Sequence, residues 1–379
     1  MPVYLDHNAT TPLDPSVAEV MQPYLGGIYG NPSSVHRYGR LCRDALEQAR
    51  FQVAKLVSAE PNQVVFTSGG TEANNLAIKG VLMMQQPGRL AISAVEHASL
   101  RAPAEAMGQM GWPLDIIGVN SQGQVPVDEL SAAIQGDTRL VSIMAANNET
   151  GVLQDMESLV AATKARSPDI LFHSDACQMA GKLPLDFSAL KLDLMSLSSH
   201  KLYGPQGAGA LIIKRNVDIM PQIVGGGQEK QKRSGTENLV ALVGFGAAAE
   251  LAQQKMAQRQ QHVGQLQQQL FEQLKQWSGV EIFSAQAEKL PNTLQFALRG
   301  IDGETLLMQL DRQGFAVSSG SACHSGSTEP SDVLLAMSVD ADTARSAIRV
   351  SFGEQNTHQQ VSQFIEALQN IKQQYNLDA

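Results

Sequence analysis

Residues 63–84 read QVVFTSGGTEANNLAIKGVLMM. An apolar, β-branched run, Val64 to Phe66, feeds a Ser-Gly-Gly turn, and Thr71 and Glu72 then open a stretch with apolar residues at helical spacing. This is a strand passing into a helix through a glycine turn, one step of a βαβ unit. The same device recurs downstream. RLAISAVEH (89–97), TRLVSIMAAN (138–147), ILFHSDA (170–176) and LDLMSLSSH (192–200) are apolar runs that end in polar, reactive residues. Strands alternating with helices predict an α/β fold with a mostly parallel sheet. Such sheets bind ligands beyond the carboxyl ends of their strands. Thr71, His97, Asn148, Asp175, Ser198, His200 and Lys201 therefore converge on one predicted site.

Around this core the pattern predicts a helix over 40–57 before the first strand, and a long Gln-rich helix over 250–276, read as a solvated connection. Beyond it, EIFSA, NTLQFAL, FAVSSGSA and RSAIRVSFG read as strands of a second, smaller α/β unit, closed by the helix HQQVSQFIEALQNIKQQY.

With 379 residues, 43% of them hydrophobic, the chain can bury a large core and form more than one domain. Its net charge of −9 argues against a nucleic-acid partner. No apolar run reaches membrane-span length, and MPVYLDHNATTP lacks the features of a secretory signal. Three cysteines, Cys42, Cys177 and Cys323, are odd in number and widely spaced. That predicts no disulfide framework and a reducing, cytoplasmic setting. Neither CxxC nor HExxH occurs, so no intrinsic metal site is expected.

The strand ends carry the chemistry. The glycine turn at Gly69 and Gly70 lets backbone approach a ligand, and a helix start favours an anion such as phosphate, although a turn capped by Thr71 reads equally well. Asp175 follows an apolar strand, where a carboxylate requires a positive partner. That partner is either a buried Lys or Arg, or the protonated nitrogen of a pyridine cofactor. Lys201 follows another apolar strand, and a desolvated amine there can condense with an aldehyde. His97 is either a satisfied structural histidine or a ring that stacks on a cofactor and moves protons. Together these describe a site for pyridoxal 5'-phosphate. Lys201 would take the aldehyde, Asp175 the ring nitrogen and His97 a ring face. Gln178 and Asn148 would bond the phenolic oxygen, and Thr71, Ser198 and His200 the phosphate.

Ten motifs then occur in order: YLDHNATTP, GNPSSVH, FTSGGTEANNLAIKG, EHASL, NNETG, HSDACQMAGKLPLD, SSHKLYGPQGAGAL, GGGQEKQKRSGTEN, SSGSACHSGS and RSAIRVSFG. Over nearly its whole length, from about Tyr4 to Phe352, the chain resembles the NifS/IscS-type cysteine desulfurases of the class V aminotransferase family. The resemblance implies a PLP-dependent transferase fold. A large domain, 15–257, would hold a mostly parallel seven-stranded sheet and the cofactor; 1–14 with 258–379 would form a small domain carrying Cys323. It implies Lys201 as the Schiff-base lysine, with cofactor contacts from Gly70, Thr71, His97, Asn148, Asp175, Gln178, Ser198 and His200. Thr236 would reach the phosphate of the other subunit of a homodimer. Arg349, aided by Asn31, would grip the substrate carboxylate. Cys323 would accept sulfur from L-cysteine, releasing L-alanine, and pass it to an acceptor protein for iron–sulfur cluster assembly or other products. Cys323 could also ligate an iron–sulfur cluster transiently during handover. A glycine- and serine-rich segment leaves such a thiol room for both tasks.

His7 within DHNATT falls where relatives vary, and no loss of function is expected from it. ACHS also resembles selenocysteine lyases of the same fold, whereas the length of SSGSACHSGSTEPS favours a desulfurase. The sequence ends soon after its last helix, without the longer tail by which IscS proteins dock a scaffold, so a NifS-like or more general sulfur-donor role is left open.

Overall fold

The computed structural model describes residues 2–319, 329–375 and 377. Its largest sheet has seven strands. Across the sheet run Val64–Thr67, Gly209–Ile213, Leu194–Ser198, Leu171–Asp175, Thr138–Ser142, Arg89–Ser93 and Leu114–Ile117. Gly209–Ile213 runs antiparallel to both its neighbours, and the other pairings are parallel. The mostly parallel α/β sheet expected from the sequence is thus present. Two of its strands, Leu114–Ile117 and Gly209–Ile213, were not among those read from the sequence pattern.

The strands are almost continuously buried because both faces of the sheet are covered. Val64, Phe66, Val141, Phe172, Met195 and Ile212 pack on one side. Val65, Leu90, Ile92, Leu140, Leu194 and Leu211 pack on the other. Successive side chains therefore alternate between two cores, as a pleated strand requires.

The helix Arg37–Leu56 buries Cys42, Leu46, Ala49 and Val53, and packs against the long helix Leu239–Leu274. The helices approach closely at Gly246, where an added Cβ would stand 2.6 Å from the Cα of Ala49. The long helix corrects the sequence reading in two respects. It begins at Leu239, capped by the Asn238 side chain, and not near Glu250. Its Gln-rich half is not merely solvated, since Val263, Leu266, Leu270 and Leu274 are buried in a further core. Glutamines dilute the apolar stripe without breaking its three-and-four spacing.

That further core is built on a four-stranded antiparallel sheet, ordered Ser318–Ser319, Ala347–Ser351, Thr293–Leu298 and Val280–Ile282. The terminal helix His358–Gln374, started by a reciprocal Thr357–Gln360 cap, adds Phe364, Leu368 and Ile371. The N-terminal strand Val3–Tyr4 pairs with Phe315–Ala316, so the first residues belong to this side.

One buried ion pair ties the first strand of the large sheet to the loop after its last. Arg50 donates to both carboxylate oxygens of Glu229 at 2.7 Å, and Glu229 also accepts from the Phe66 backbone N at 2.8 Å. Both side chains are almost wholly enclosed. Removing Glu229 would leave the buried Arg50 guanidinium with only the exposed Glu47, at 3.1 Å from its Nε, as an ionic partner among the described residues. Glu229→Ala is expected to lower the free energy of urea unfolding by about 3–5 kcal/mol. A loss below about 1 kcal/mol would mean that water reaches Arg50 after truncation.

Candidate active site

The carboxyl ends of the parallel strands, with the turns that follow them, enclose a cleft of about 630 Å³. Gly70, Thr71, His97, Asn148, Asp175, Gln178, Ser198, His200 and Lys201 all line it. Every within-chain cofactor residue expected from the sequence is therefore brought to one place. Ser99, Met144, Ala146 and Cys177 complete the wall.

Lys201 follows the strand Leu194–Ser198 in a single helical turn. Its Nζ donates to the backbone carbonyls of Asn8 at 2.5 Å and Ala9 at 2.8 Å. Burial, then the nearby charge of Arg349, lowers its pKa from the ordinary lysine value, against opposing pulls from Cys177, Asp175 and Asp6. A less basic amine is closer to the free-base form needed for attack on an aldehyde.

Asp175 closes the strand Leu171–Asp175 and is 6% exposed. Its Oδ2 accepts from Asn74 Nδ2 at 2.7 Å and its Oδ1 from the Cys177 backbone N at 2.9 Å. Among the described residues no Lys, Arg or His lies within 4.0 Å of this carboxylate to form an ion pair with it. The described residues thus provide no cationic partner for a buried carboxylate that faces the cleft.

His97 caps the helix Ala98–Gln109, with Nδ1 accepting from the Ser99 backbone N at 3.0 Å. An accepting Nδ1 leaves the proton of the neutral ring on Nε2. Burial lowers the His97 pKa, opposed by Asp175 and reinforced by Lys201 and Arg349. The adjacent Glu96 is buried, and burial raises its carboxyl to about 8 despite bonds from Ser93 Oγ and the Met144 N. His200 Nδ1 lies 3.1 Å from Thr10 Oγ1, and burial followed by Lys201 holds the ring down at about 4.

Arg349, on Ala347–Ser351, adjoins the cleft from the smaller sheet. Its Nη1 donates to the Asn148 carbonyl at 2.8 Å and its Nη2 to Asp6 at 2.7 Å, while Nε is buried without a partner. Asn31 and Thr236 do not line the cleft; both are solvent-exposed in this chain. Asn31 instead accepts from the Ser33 backbone N. The loop bearing Thr236 is nevertheless tied to the glycine turn, because Arg233 pairs with Glu72 at 2.8 Å. Cys323 lies outside the described residues. The chain before 320–328 is anchored at Arg349 and the chain after it at Glu149. Ser318 pairs with Arg349 across the sheet, and Ser331 Oγ bonds Glu149 Oε2 at 2.5 Å. Burial raises the Glu149 carboxyl to about 7, opposed by Ser331 and Arg349.

A family model described as aminotransferase class-V matches residues 3–364. The chain belongs to the class-V aminotransferase family. As a class-V aminotransferase it is of the NifS/IscS type. The curated "Cysteine desulfurase IscS" of Dictyoglomus turgidum is 41% identical over 372 residues, 97% of this chain and 94% of that protein. A solved structure titled "NIFS-LIKE PROTEIN" superposes with a TM-score of 0.93 at 35% identity, covering 98% of this chain and all of that one, 100%. Another, titled "SspA in complex with cysteine", gives a TM-score of 0.82 at 31% identity over 94% of this chain and 100% of that one.

The cofactor of the class-V aminotransferases is pyridoxal 5'-phosphate, and the cleft fits it on three observations. Among the described residues Asp175 has no cation within ion-pair distance. Ser198 Oγ is buried with no partner. Gly70 forms a close cradle, where a Cβ would stand 2.7 Å from Cys177 Sγ.

Residues absent from the sequence reading also build the site. Asn74 orients Asp175, and Asn8 supports Lys201 through its carbonyl. Asp6 pairs with Arg349. Their signal was present in DHNATT and EANN, but neither motif reveals what it will touch.

His173, two residues before Asp175, is enclosed between Ser142 Oγ at 2.8 Å and Ser196 Oγ at 2.9 Å. Burial lowers it from 6.5 to about 4, against a raising influence from Asp175. The unfolded chain protonates this ring at higher pH than the folded one does. Its contribution is therefore intact above pH 6.5 and lost as pH falls towards 4. His173→Gln should remove this dependence. Between those limits the stability difference between parent and variant should change by up to about 1.4 kcal/mol per pH unit in favour of the variant. Parallel urea titrations that give equal slopes would show that His173 titrates alike in both states.

Proposed function

We propose that this chain is a cysteine desulfurase, which removes sulfur from L-cysteine, gives L-alanine and leaves the sulfur as a persulfide on Cys323. The observation that carries the reading is Asp175, a buried carboxylate with no cationic partner among the described residues, across one cleft from the amine of Lys201. When bound, the cofactor supplies an electron sink.

The chain's own groups would act as follows. Lys201 Nζ would hold the cofactor through its aldehyde and would serve as the base for the α-proton of the substrate. Asp175, oriented by Asn74, keeps a proton on the pyridine nitrogen. Gly70, Thr71, Ser198 and His200 receive the phosphate. Gln178 and Asn148 would hold the phenolic oxygen, and His97 would take the ring, with a proton available on its Nε2. Arg349 binds the substrate carboxylate, helped by Asn31. The Cys323 thiolate attacks the substrate sulfur, the carbon–sulfur bond breaks, and a proton replaces sulfur on the carbon. The anchoring of Ser318 and Ser331 at Arg349 and Glu149 supports this role.

We read 15–257 as a cofactor-binding domain and 1–14 with 258–379 as a smaller one. Separate cores on either side of residues 252–263 support that division. A homodimer follows from Thr236, assigned to the phosphate of the other subunit. Exposed Leu25, Tyr29, Val35 and Val224 offer apolar surface for a second copy to cover. The persulfide passes to a sulfur-acceptor protein in the cytoplasm. No helix among the described residues is long and apolar enough to cross a membrane.

The test is product analysis with L-cysteine and L-selenocysteine in the presence of a reducing thiol. Alanine and sulfide should appear in equal amounts from cysteine. Cys323→Ala should lower both to background and keep the yellow colour, whereas Lys201→Ala should lose cofactor that borohydride can fix. Persistent sulfide release by Cys323→Ala would sink the persulfide role. Turnover of selenocysteine alone would make the enzyme a selenocysteine lyase.

A further inference from the structure

Lys182 has no part in the chemistry proposed above, yet it stands beside it. It lies four residues beyond Gln178 in a run of turns, and its Nζ donates to Gln178 Oε1 at 2.9 Å and to Asn8 Oδ1 at 3.0 Å. Gln178 lines the cofactor cleft. Lys182 instead borders a separate hollow behind Lys201, with His7, Tyr203 and Arg259.

These contacts orient the Gln178 amide. Lys182 Nζ donates to this amide, so the Gln178 atom that meets it is the oxygen. The other end agrees, because Gln178 Nε2 donates to the Asn8 carbonyl at 2.9 Å, and a carbonyl only accepts. The same carbonyl holds Lys201 Nζ at 2.5 Å. An amide nitrogen carries two hydrogens. One engages Asn8, and the second remains for the cleft. Lys182 also meets the Asn8 amide at its oxygen, and Asn292 Nδ2 donates to that oxygen at 3.1 Å. Asn8 Nδ2 is thereby directed to Thr293 Oγ1 and the Asn148 carbonyl.

We propose that Lys182 is a positioning residue, which holds the Gln178 amide with its N–H side turned toward the phenolic oxygen of the cofactor. The inference rests on the reading of Gln178 given above. A phenolate oxygen accepts hydrogen bonds, so a reversed amide would set two acceptors against each other. Without Lys182 the Gln178 oxygen loses its partner, and only the Asn8 carbonyl still holds the amide in that orientation.

The test is a double-mutant cycle on the holoenzyme, reading the cofactor dissociation constant by equilibrium dialysis and the position of the visible absorption band. K182M and Q178A should each weaken cofactor retention about 3–10-fold, the worth of one hydrogen bond. Both should move the absorption band in the same direction. K182M/Q178A should be no weaker than Q178A alone, because Lys182 acts through Gln178. K182R, which keeps a donor, should recover part of the loss. Thermal melts followed by circular dichroism check that each variant folds, and K182A takes the place of K182M if the latter does not. Losses that multiply in the double variant, or K182M retention equal to the parent, would overturn the role of Lys182. Retention by Q178A equal to the parent would overturn the Gln178 reading itself, and the inference with it.

Discussion

A single buried residue near the N-terminus, Asn8, ties the reactive amine to both sheets. Its carbonyl accepts from Lys201 and Gln178, which belong to the seven-stranded side. Its backbone N donates to Ser351 Oγ and its side chain to Thr293 Oγ1, both on the smaller sheet. A buried amide must satisfy all its polar groups or lose stability. Asn8 does so only if both sheets and the strand ends stand where they do. The cleft therefore depends on a segment that belongs to neither sheet.

Electrostatics follow from this closure. Lys201, Lys182 and Arg349 are cations gathered at the meeting of the two sheets, and the pKa values of both lysines fall through burial and through other cations in this group. Asp6 takes up Arg349, while the donors to Asp175 among the described residues are neutral. The site thus keeps one carboxylate and one lowered amine unspent by internal pairing. A pyridine ring with a protonated nitrogen and an aldehyde is chemically complementary to that pair.

Much of the site was legible in the sequence because parallel strands impose a simple rule. Residues just beyond their carboxyl ends share one edge of the sheet, whatever their separation along the chain. His97, Asp175, Ser198 and Lys201 were found in this way. The long helix was legible only in part. Its Gln-rich surface hid a buried stripe, and the apolar run Leu239 to Ala249, whose small residues Gly244, Gly246, Ala248 and Ala249 are buried, was not read as its start. Asn74 and Asn8 were not assigned roles, since a polar residue near a turn reads the same whether it faces solvent or a carboxylate.

The sequence alone determined the alternation of strands and helices, the edge on which the reactive residues gather, and the residue types available there. Those follow from local periodicity and from the direction of the strands. The tertiary structure decided which donor meets which acceptor. It placed Asp6 on Arg349 and Asn8 beneath Lys201, and set Lys182 against Gln178. Hydrogen bonds and charges act over a few ångströms between residues far apart in the chain, and only the folded packing brings them within that range.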